Sequence, residues 1–424
     1  MAVRFFSSVV ACLSALVFLG ACATPPSTPK ADGDQTVILI SIDGARYDYL
    51  DLYTAPHLSS IASRGVRAEY LKPVFPSKTF PNHYSLVTGL RPTHHGLVNN
   101  SMYDPEYDVV FSMGKREEVE NSRWWGGEPI WITAEQQGVT AATFFFPGSE
   151  TAIQETRPSY WYRYDGSISN RARVTQVLEW LDLPAAERPQ LITLYFSDVD
   201  TAGHMFGPES PEVAETFAAI DAEIGFLLAG LEARGLSDKV NLVIASDHGM
   251  QAVDLHDHFV IDTAFDTSLA QEVVISREIV SVYPLPGQAE TLYKQLKEAI
   301  PASFGQVLRK QDMPERFQYT DHRRIAEITL VANPGHIFVR DAWSQQQDEE
   351  SLSATNGSHG YDNDHTNMFG MFIATGPAFK REAQVEGFEM VDLYQVLANI
   401  LGLQAAPHDG NPAVIDILLD ANAK

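Results

Sequence analysis

Apolar runs of strand length, each closed by an acid, recur along this chain. Thr36-Val37-Ile38-Leu39-Ile40-Ser41-Ile42 runs into Asp43-Gly44, the pattern of a strand buried on both faces of a parallel sheet, because a half-exposed strand would alternate polar and apolar positions. The same grammar recurs from Thr140 to Phe146, from Leu191 to Phe196 ahead of Asp198 and Asp200, and from Val240 to Ala245 ahead of Asp247. Met371 to Ala374 is a further candidate strand. Helical patterns lie between these runs, as from Arg171 to Leu181 and from Val213 to Leu231. The alternation predicts an α/β fold with a mostly parallel central sheet and helices on both faces. Residues 254–353 lack the strand-then-acid grammar and are expected to form a smaller inserted α+β lobe. That leaves 36–253 and 354–405 as the core and 406–424 as a C-terminal segment.

The N-terminus adds a destination. Arg4 precedes an apolar run from Val9 to Leu19 that is too short to span a bilayer, so 1–21 reads as an export signal. Leu19-Gly20-Ala21-Cys22 resembles the bacterial lipobox, in which the cysteine sulfur is acylated. Cys12 and Cys22 are the two cysteines of the sequence, so a mature chain starting at Cys22 forms no internal disulfide. Ala23-Thr24-Pro25-Pro26-Ser27-Thr28-Pro29 opens a flexible tether over 22–35 that cannot pack. The expectation is an exported domain, lipid-anchored at the periplasmic face of a bacterial outer membrane.

Charge narrows the chemistry. Lys and Arg number 30 against 55 Asp and Glu, a net charge of -25, which disfavours stable binding to nucleic acid. Yet the strand ends gather metal-ligand chemistry: Asp43, Asp200 with His204, Asp247 with His248, and His359 in Gly357-Ser358-His359-Gly360. Carboxylate and imidazole are zinc ligands, and one helical turn places Asp200 and His204 on the same face. Any one of these alone is more simply a strand-end cap or a surface histidine; their coincidence at successive strand ends favours a site. Asp198, His256, His258 and His365 have suitable chemistry but no strand-end partner. Thr79, in Pro76-Ser77-Lys78-Thr79-Phe80-Pro81-Asn82-His83, precedes a helical stretch. At a helix N-terminus it either caps the helix or presents a hydroxyl where an alkoxide or phosphate is favoured, and spacing does not choose between them.

These residues resemble the nucleotide pyrophosphatase/phosphodiesterases of the alkaline phosphatase superfamily. Lys78-Thr79-Phe80-Pro81-Asn82-His83 is similar to that family's nucleophile motif. Thr88-Gly89-Leu90, His95-Gly96, Asn100-Ser101-Met102-Tyr103-Asp104-Pro105, Glu128-Pro129-Ile130-Trp131, Phe144 to Ser149 and Gly360-Tyr361-Asp362-Asn363 follow in its order. The resemblance covers roughly Thr36 to Leu403 and implies an alkaline-phosphatase-like fold. It also implies two zinc ions, one held by Asp43, Asp247, His248 and the Thr79 oxygen, the other by Asp200, His204 and His359. Thr79 is then the nucleophile, Asn100 a holder of a non-bridging phosphate oxygen, and Phe80 with Tyr195 an aromatic pair around a nucleobase. Phe146 stands where many members have tryptophan.

The expected activity is hydrolysis of phosphodiester or pyrophosphate bonds, with a nucleotide as the small-molecule partner. A lipid-headgroup phosphodiesterase shares the chemistry. A phosphomonoesterase needs extra cations for a dianionic group, and Lys78 is the one cation close to these motifs. A binding protein on an inactive hydrolase fold is disfavoured because every implied ligand and the nucleophile are present.

Overall fold

The computed structural model describes residues 35–347, 351–352 and 356–421. The expected signal segment 1–21, Cys22 and the tether up to residue 34 lie outside the described residues.

Eight strands form the central sheet, in the order Ala383–Val385, Val66–Ala68, Phe372–Thr375, Val240–Ala245, Thr36–Ile42, Leu191–Phe196, Ala141–Phe144, Tyr160–Tyr162. From Val240–Ala245 to the Tyr160–Tyr162 edge every pairing is parallel. Phe372–Thr375 reverses and pairs antiparallel with both neighbours, a direction that its apolar run does not encode.

Alternation of side chains divides the core in two. Val37 and Leu39 join one apolar cluster, with Tyr84, Leu86, Trp131 and Leu397 from helices Thr79–Thr88, Ile130–Gln136 and Leu393–Ile400. Ile38, Ile40 and Ile42 point the other way, into Val174, Val177, Phe217 and Ile224 of helices Asn170–Leu181 and Pro211–Ala233. A strand with helices on both faces buries every side chain, which is why its sequence shows no polar alternation. Both of the latter helices start on a serine, Ser169 and Ser210, whose hydroxyl accepts from the backbone of Ala172 and Val213. The chain thus has the expected α/β architecture, a mostly parallel central sheet with helices on both faces.

Within the stretch expected as an inserted lobe lies a separate antiparallel sheet, ordered Ala270–Ser276, Ile279–Pro284, Ile328–Ala332, Gly305–Arg309. Helix Ala289–Ala299 lays Leu292 and Leu296 against Val280, Val282 and Leu330 of that sheet. The two-residue turn Arg277-Glu278 joins its first two strands. No helix among the described residues is long and apolar enough to cross a membrane.

Candidate active site

Strands Val240–Ala245, Thr36–Ile42 and Leu191–Phe196 are sheet neighbours and parallel, so the acids that follow them, Asp247, Asp43 and Asp200, emerge side by side at one edge. Gly44, directly after Asp43, lets that strand end approach Asp200. Its φ is 71°, and a Cβ there would lie 2.9 Å from the Asp200 Cα. Helix Asp198–Phe206 carries Asp200 and His204 one turn apart, with His204 Nε2 3.4 Å from Asp200 Oδ1. The His359 Nε2 stands 3.6 Å from the same oxygen. His248 Nε2 lies 3.0 Å from Asp247 Oδ2 and 3.4 Å from Asp43 Oδ1, and the His248 and His359 rings stack at 3.5 Å.

Whether these groups suit a cation is decided by their free atoms. Asp43 Oδ1, Asp200 Oδ1 and Asp247 Oδ2 are buried and accept no hydrogen bond among the described residues. Each histidine has its Nδ1 2.8 Å from a backbone carbonyl, His204 to Gly357, His248 to Gly249 and His359 to Ser77. A carbonyl can only accept, so each Nδ1 carries the proton and each Nε2 turns a lone pair toward the carboxylates. Lone pairs facing lone pairs in a buried site need positive charge between them. Protons supply it when nothing else does. Burial works against the His248 imidazolium, but Asp247, then Asp43 and Asp200, outweigh it and push its pKa up to about 9. Burial, then the charges of Asp247 and Asp200, holds the Asp43 carboxyl well above the usual range. The donor set fits metal binding, and close-packed groups form around Asp200, His248 and His359 and around Asp43, His83 and Asp247.

His83 was not anticipated as part of this site. Its Nδ1 lies 3.0 Å from the Thr79 carbonyl and 3.2 Å from Asp247 Oδ2, and its Nε2 lies 2.7 Å from the Ser41 hydroxyl. Its Nδ1 thus faces both the Thr79 carbonyl and Asp247, which ties the start of the helix to that carboxylate, and His83 belongs to the group with Asp43 and Asp247 that is close enough to hold a cation. The signal was its place one helical turn after Thr79.

Thr79 opens helix Thr79–Thr88, with its Oγ1 3.3 Å from His248 Nε2. The loop before it is pinned by Asn82, whose amide donates to the carbonyls of Pro76 and Lys78 while its Oδ1 accepts from the Val74 N–H. Asn100 Oδ1 accepts from the Phe80 N–H at 2.8 Å, which turns its amide NH2 away from that bond. Lys78 is ion-paired to Glu278, a wholly buried acid that also accepts from the Ser358 hydroxyl. The lobe turn therefore ties the loop before Thr79 to the loop before His359.

Two cavities meet at Thr79 and Asp200. One, of about 310 Å³, is walled by Phe80, Phe145, Tyr164 and Tyr195. The other, of about 790 Å³, is lined by Asn100, His204, His359, Arg277, Arg340 and Trp343. Tyr195, expected to face a base together with Phe80, lines the smaller cavity with it. The residue is 9% exposed, and its hydroxyl donates to Asp43 Oδ2 at 2.6 Å. The exposed aromatic is Tyr164, at 41%, in an irregular segment with no motif to mark it. Phe146 is buried, edge-on to His83 and Trp131. Among the residues set aside, Asp198 accepts from the Asn170 amide and His258 bridges the Leu255 carbonyl and Ser344. The expectation of a lone cation near the motifs is also corrected, since Arg277 and Arg340 arrive from the lobe.

Residues 37–362 match the family model of type I phosphodiesterases/nucleotide pyrophosphatases. The chain belongs to this family. It is 35% identical over 409 residues to a venom phosphodiesterase of Crotalus durissus collilineatus, a match covering 94% of this chain and 48% of that protein. The chain spans about half the length of the curated relatives it matches. The structure of murine ectonucleotide pyrophosphatase/phosphodiesterase 5 superposes with a TM-score of 0.84 at 33% identity, covering 91% of this chain and 100% of that one. An inactive variant of the murine protein in complex with AMP superposes with a TM-score of 0.83, with the same identity and coverage.

Proposed function

We propose that this chain is a zinc-dependent hydrolase of phosphodiester and pyrophosphate bonds in nucleotides, acting through a covalent phosphothreonine at Thr79. The observation that carries the reading is the Thr79 hydroxyl at a helix N-terminus, beside His248, between groups of buried carboxylates and imidazoles with free ligand atoms. Asp43, Asp247 and His248 with the Thr79 oxygen would hold one zinc, and Asp200, His204 and His359 the other. When bound, such ions lower the pKa of a hydroxyl and neutralise charge on phosphoryl and leaving oxygens.

The chain's own groups do the rest. Thr79 Oγ1 gives up its proton and attacks phosphorus, and the leaving oxygen departs on the opposite side, toward Asp200, His204 and His359. The Asn100 amide NH2, held beside the start of helix Thr79–Thr88, takes a non-bridging oxygen. Water then hydrolyses phospho-Thr79. The smaller cavity takes the nucleobase against Phe80 and Tyr164. Nucleotides are favoured over other diesters because the murine relative binds AMP in its inactive form and this cavity is walled by aromatic rings. Of the cations on the larger cavity, Lys78 is neutralised by Glu278 and Arg340 is held by Asp262 and the Val273 carbonyl, which leaves Arg277 as the group a monoesterase would use, and the monoester arm of the panel decides that reading.

The test is a panel: an aryl monoester, an aryl ester of a nucleoside monophosphate, a dinucleoside polyphosphate and a choline diester, assayed with zinc. Preference for the nucleotide substrates supports the reading; a choline diester outrunning them replaces it with a headgroup phosphodiesterase. We also propose that Cys22 is lipidated and holds the domain at a membrane. Cys22→Ser should move the protein from the membrane to the soluble fraction, whereas retention in high salt would point to an uncleaved anchor.

A further inference from the structure

Glu278 is an acid where an acid is unfavourable. It is wholly buried, and a buried carboxylate is tolerated only when it is paired and hydrogen-bonded. Both of its oxygens are used: Oε2 pairs with the buried Lys78 ammonium, and Oε1 accepts from the Ser358 hydroxyl. The side chain comes from the two-residue turn between Ala270–Ser276 and Ile279–Pro284, whose backbone is fixed on both sides. The Arg277 carbonyl accepts from the Phe338 N–H and the Glu278 carbonyl from the Ala332 N–H, each at 2.8 Å. Neither side-chain partner is remote from the chemistry. Lys78 directly precedes Thr79, and Ser358 directly precedes His359.

The two loops that Glu278 joins are also bonded to each other. The Ser77 carbonyl lies 2.8 Å from His359 Nδ1, and the Ser77 hydroxyl donates to the Tyr361 carbonyl at 2.7 Å. The Lys78 stem runs across Gly360, where an added Cβ would collide with it. The Ser77 carbonyl orients the His359 ring and so aims its Nε2 lone pair, while the same loop sets where Thr79 Oγ1 stands. A shift of the loop therefore moves a ligand atom and the nucleophile together. Asn82 holds the loop from the helix side, at the carbonyls of Pro76 and Lys78; Glu278 holds it against Ser358. We propose that Glu278 is a positioning residue for both halves of the site, setting Thr79 and His359 relative to one another from the lobe without touching substrate. This rests on the zinc-hydrolase reading above. The leverage is large, because a misplacement of about 1 Å costs on the order of 100-fold in rate.

Glu278→Gln keeps the shape and an acceptor for Ser358 but leaves the Lys78 charge buried without its partner. It should lower the melting temperature, as an uncompensated buried charge does. Zinc affinity, read by competition with a chromophoric chelator and no substrate present, should weaken about tenfold or more, the scale of a lost support behind a metal ligand. At saturating zinc, kcat on bis(nitrophenyl) phosphate should fall about tenfold or more while KM stays close to wild type. Lys78→Met combined with Glu278→Gln separates stability from positioning. It removes both charges, so the melting temperature should return towards wild type, but the tie is still missing, so zinc affinity and kcat should stay low. Zinc affinity and kcat that recover along with the melting temperature make the pair a structural contact and overturn the proposal. So does a Glu278→Gln protein that matches wild type in both, or one that raises KM alone. If Glu278→Gln does not fold, the double variant decides by its zinc affinity, which a lost substrate contact at Lys78 does not affect. Wild-type protein that binds zinc but cleaves no diester refutes the hydrolase reading instead, and the zinc comparison then judges Glu278.

Discussion

Tyr195→Phe separates a stacking ring from a positioning hydroxyl. The substitution keeps the ring and removes one oxygen, whose proton is donated to Asp43 Oδ2 at 2.6 Å. Burial, then the negative charge of Asp43, raises the phenol well above its ordinary pKa, so it remains a donor across any assay pH. Asp43 is 1% exposed, so the bond is largely shielded from solvent. A hydrogen bond to a buried charged group contributes about 1.5–3 kcal/mol, and loss of such a support around a metal ligand costs about 10–100-fold in metal affinity or activity. Zinc affinity, read by competition with a chromophoric chelator, should therefore weaken within that range. At limiting zinc, kcat/KM should fall alike for a nucleotide diester and a small methyl aryl diester. Tyr164→Ala should behave oppositely, lowering only the nucleotide diester, by roughly the 1–3 kcal/mol of a stacked base. If Tyr195→Phe matches wild type in both zinc affinity and turnover, the hydroxyl supports nothing. If it damages only the nucleotide substrate, Tyr195 belongs to the base pocket after all.

Thr79→Ala should abolish turnover while Thr79→Ser keeps a measurable fraction, because serine offers the same oxygen with a freer rotamer; Thr79→Ala within a few-fold of wild type refutes the nucleophile. Elemental analysis of the intact protein should find close to two zincs per chain, and His359→Ala or Asp200→Ala should lower that towards one; unchanged content in both variants would show the second group misassigned. Asp104 tests acid stability. Its burial raises its pKa, but hydrogen bonds from Arg323 and Arg324 prevail and hold it at about 2. A depressed carboxylate stabilises the fold above its unfolded pKa of ~3.9, and that contribution is lost as pH falls from there through about 2. Asp104→Asn should cost about 3–5 kcal/mol near neutrality, because Arg324 stays buried. Denaturant melts of the two proteins should draw together as the pH falls from ~3.9 through about 2; a gap that stays constant across that window would show that the charge is not what matters.

The chain's linear pattern carried everything that depends on local period and on chemistry at strand ends. Ile38 through Ile42 had to be buried on both faces, so the strand and the acid after it were visible together, and Leu191–Phe196 and Val240–Ala245 were readable for the same reason. The ligand-type residues Asp43, Asp200, His204, Asp247, His248 and His359 could be named because parallel strands deliver their ends to one edge. Direction, orientation and long-range charge were not encoded locally. The reversal of Phe372–Thr375 is set by its sheet neighbours. His83 and Tyr195 became supports of Asp247 and Asp43 through which atom each turns inward, and neither ring's spacing records that. Glu278 and Arg277 lie about two hundred residues from Thr79 in sequence, and only the packing of the lobe brings a buried acid to Lys78 and a guanidinium to the wall of the larger cavity. Sequence fixes which groups are available at each strand end, while burial and the pairing of charges across distant segments decide which atoms are left free to act.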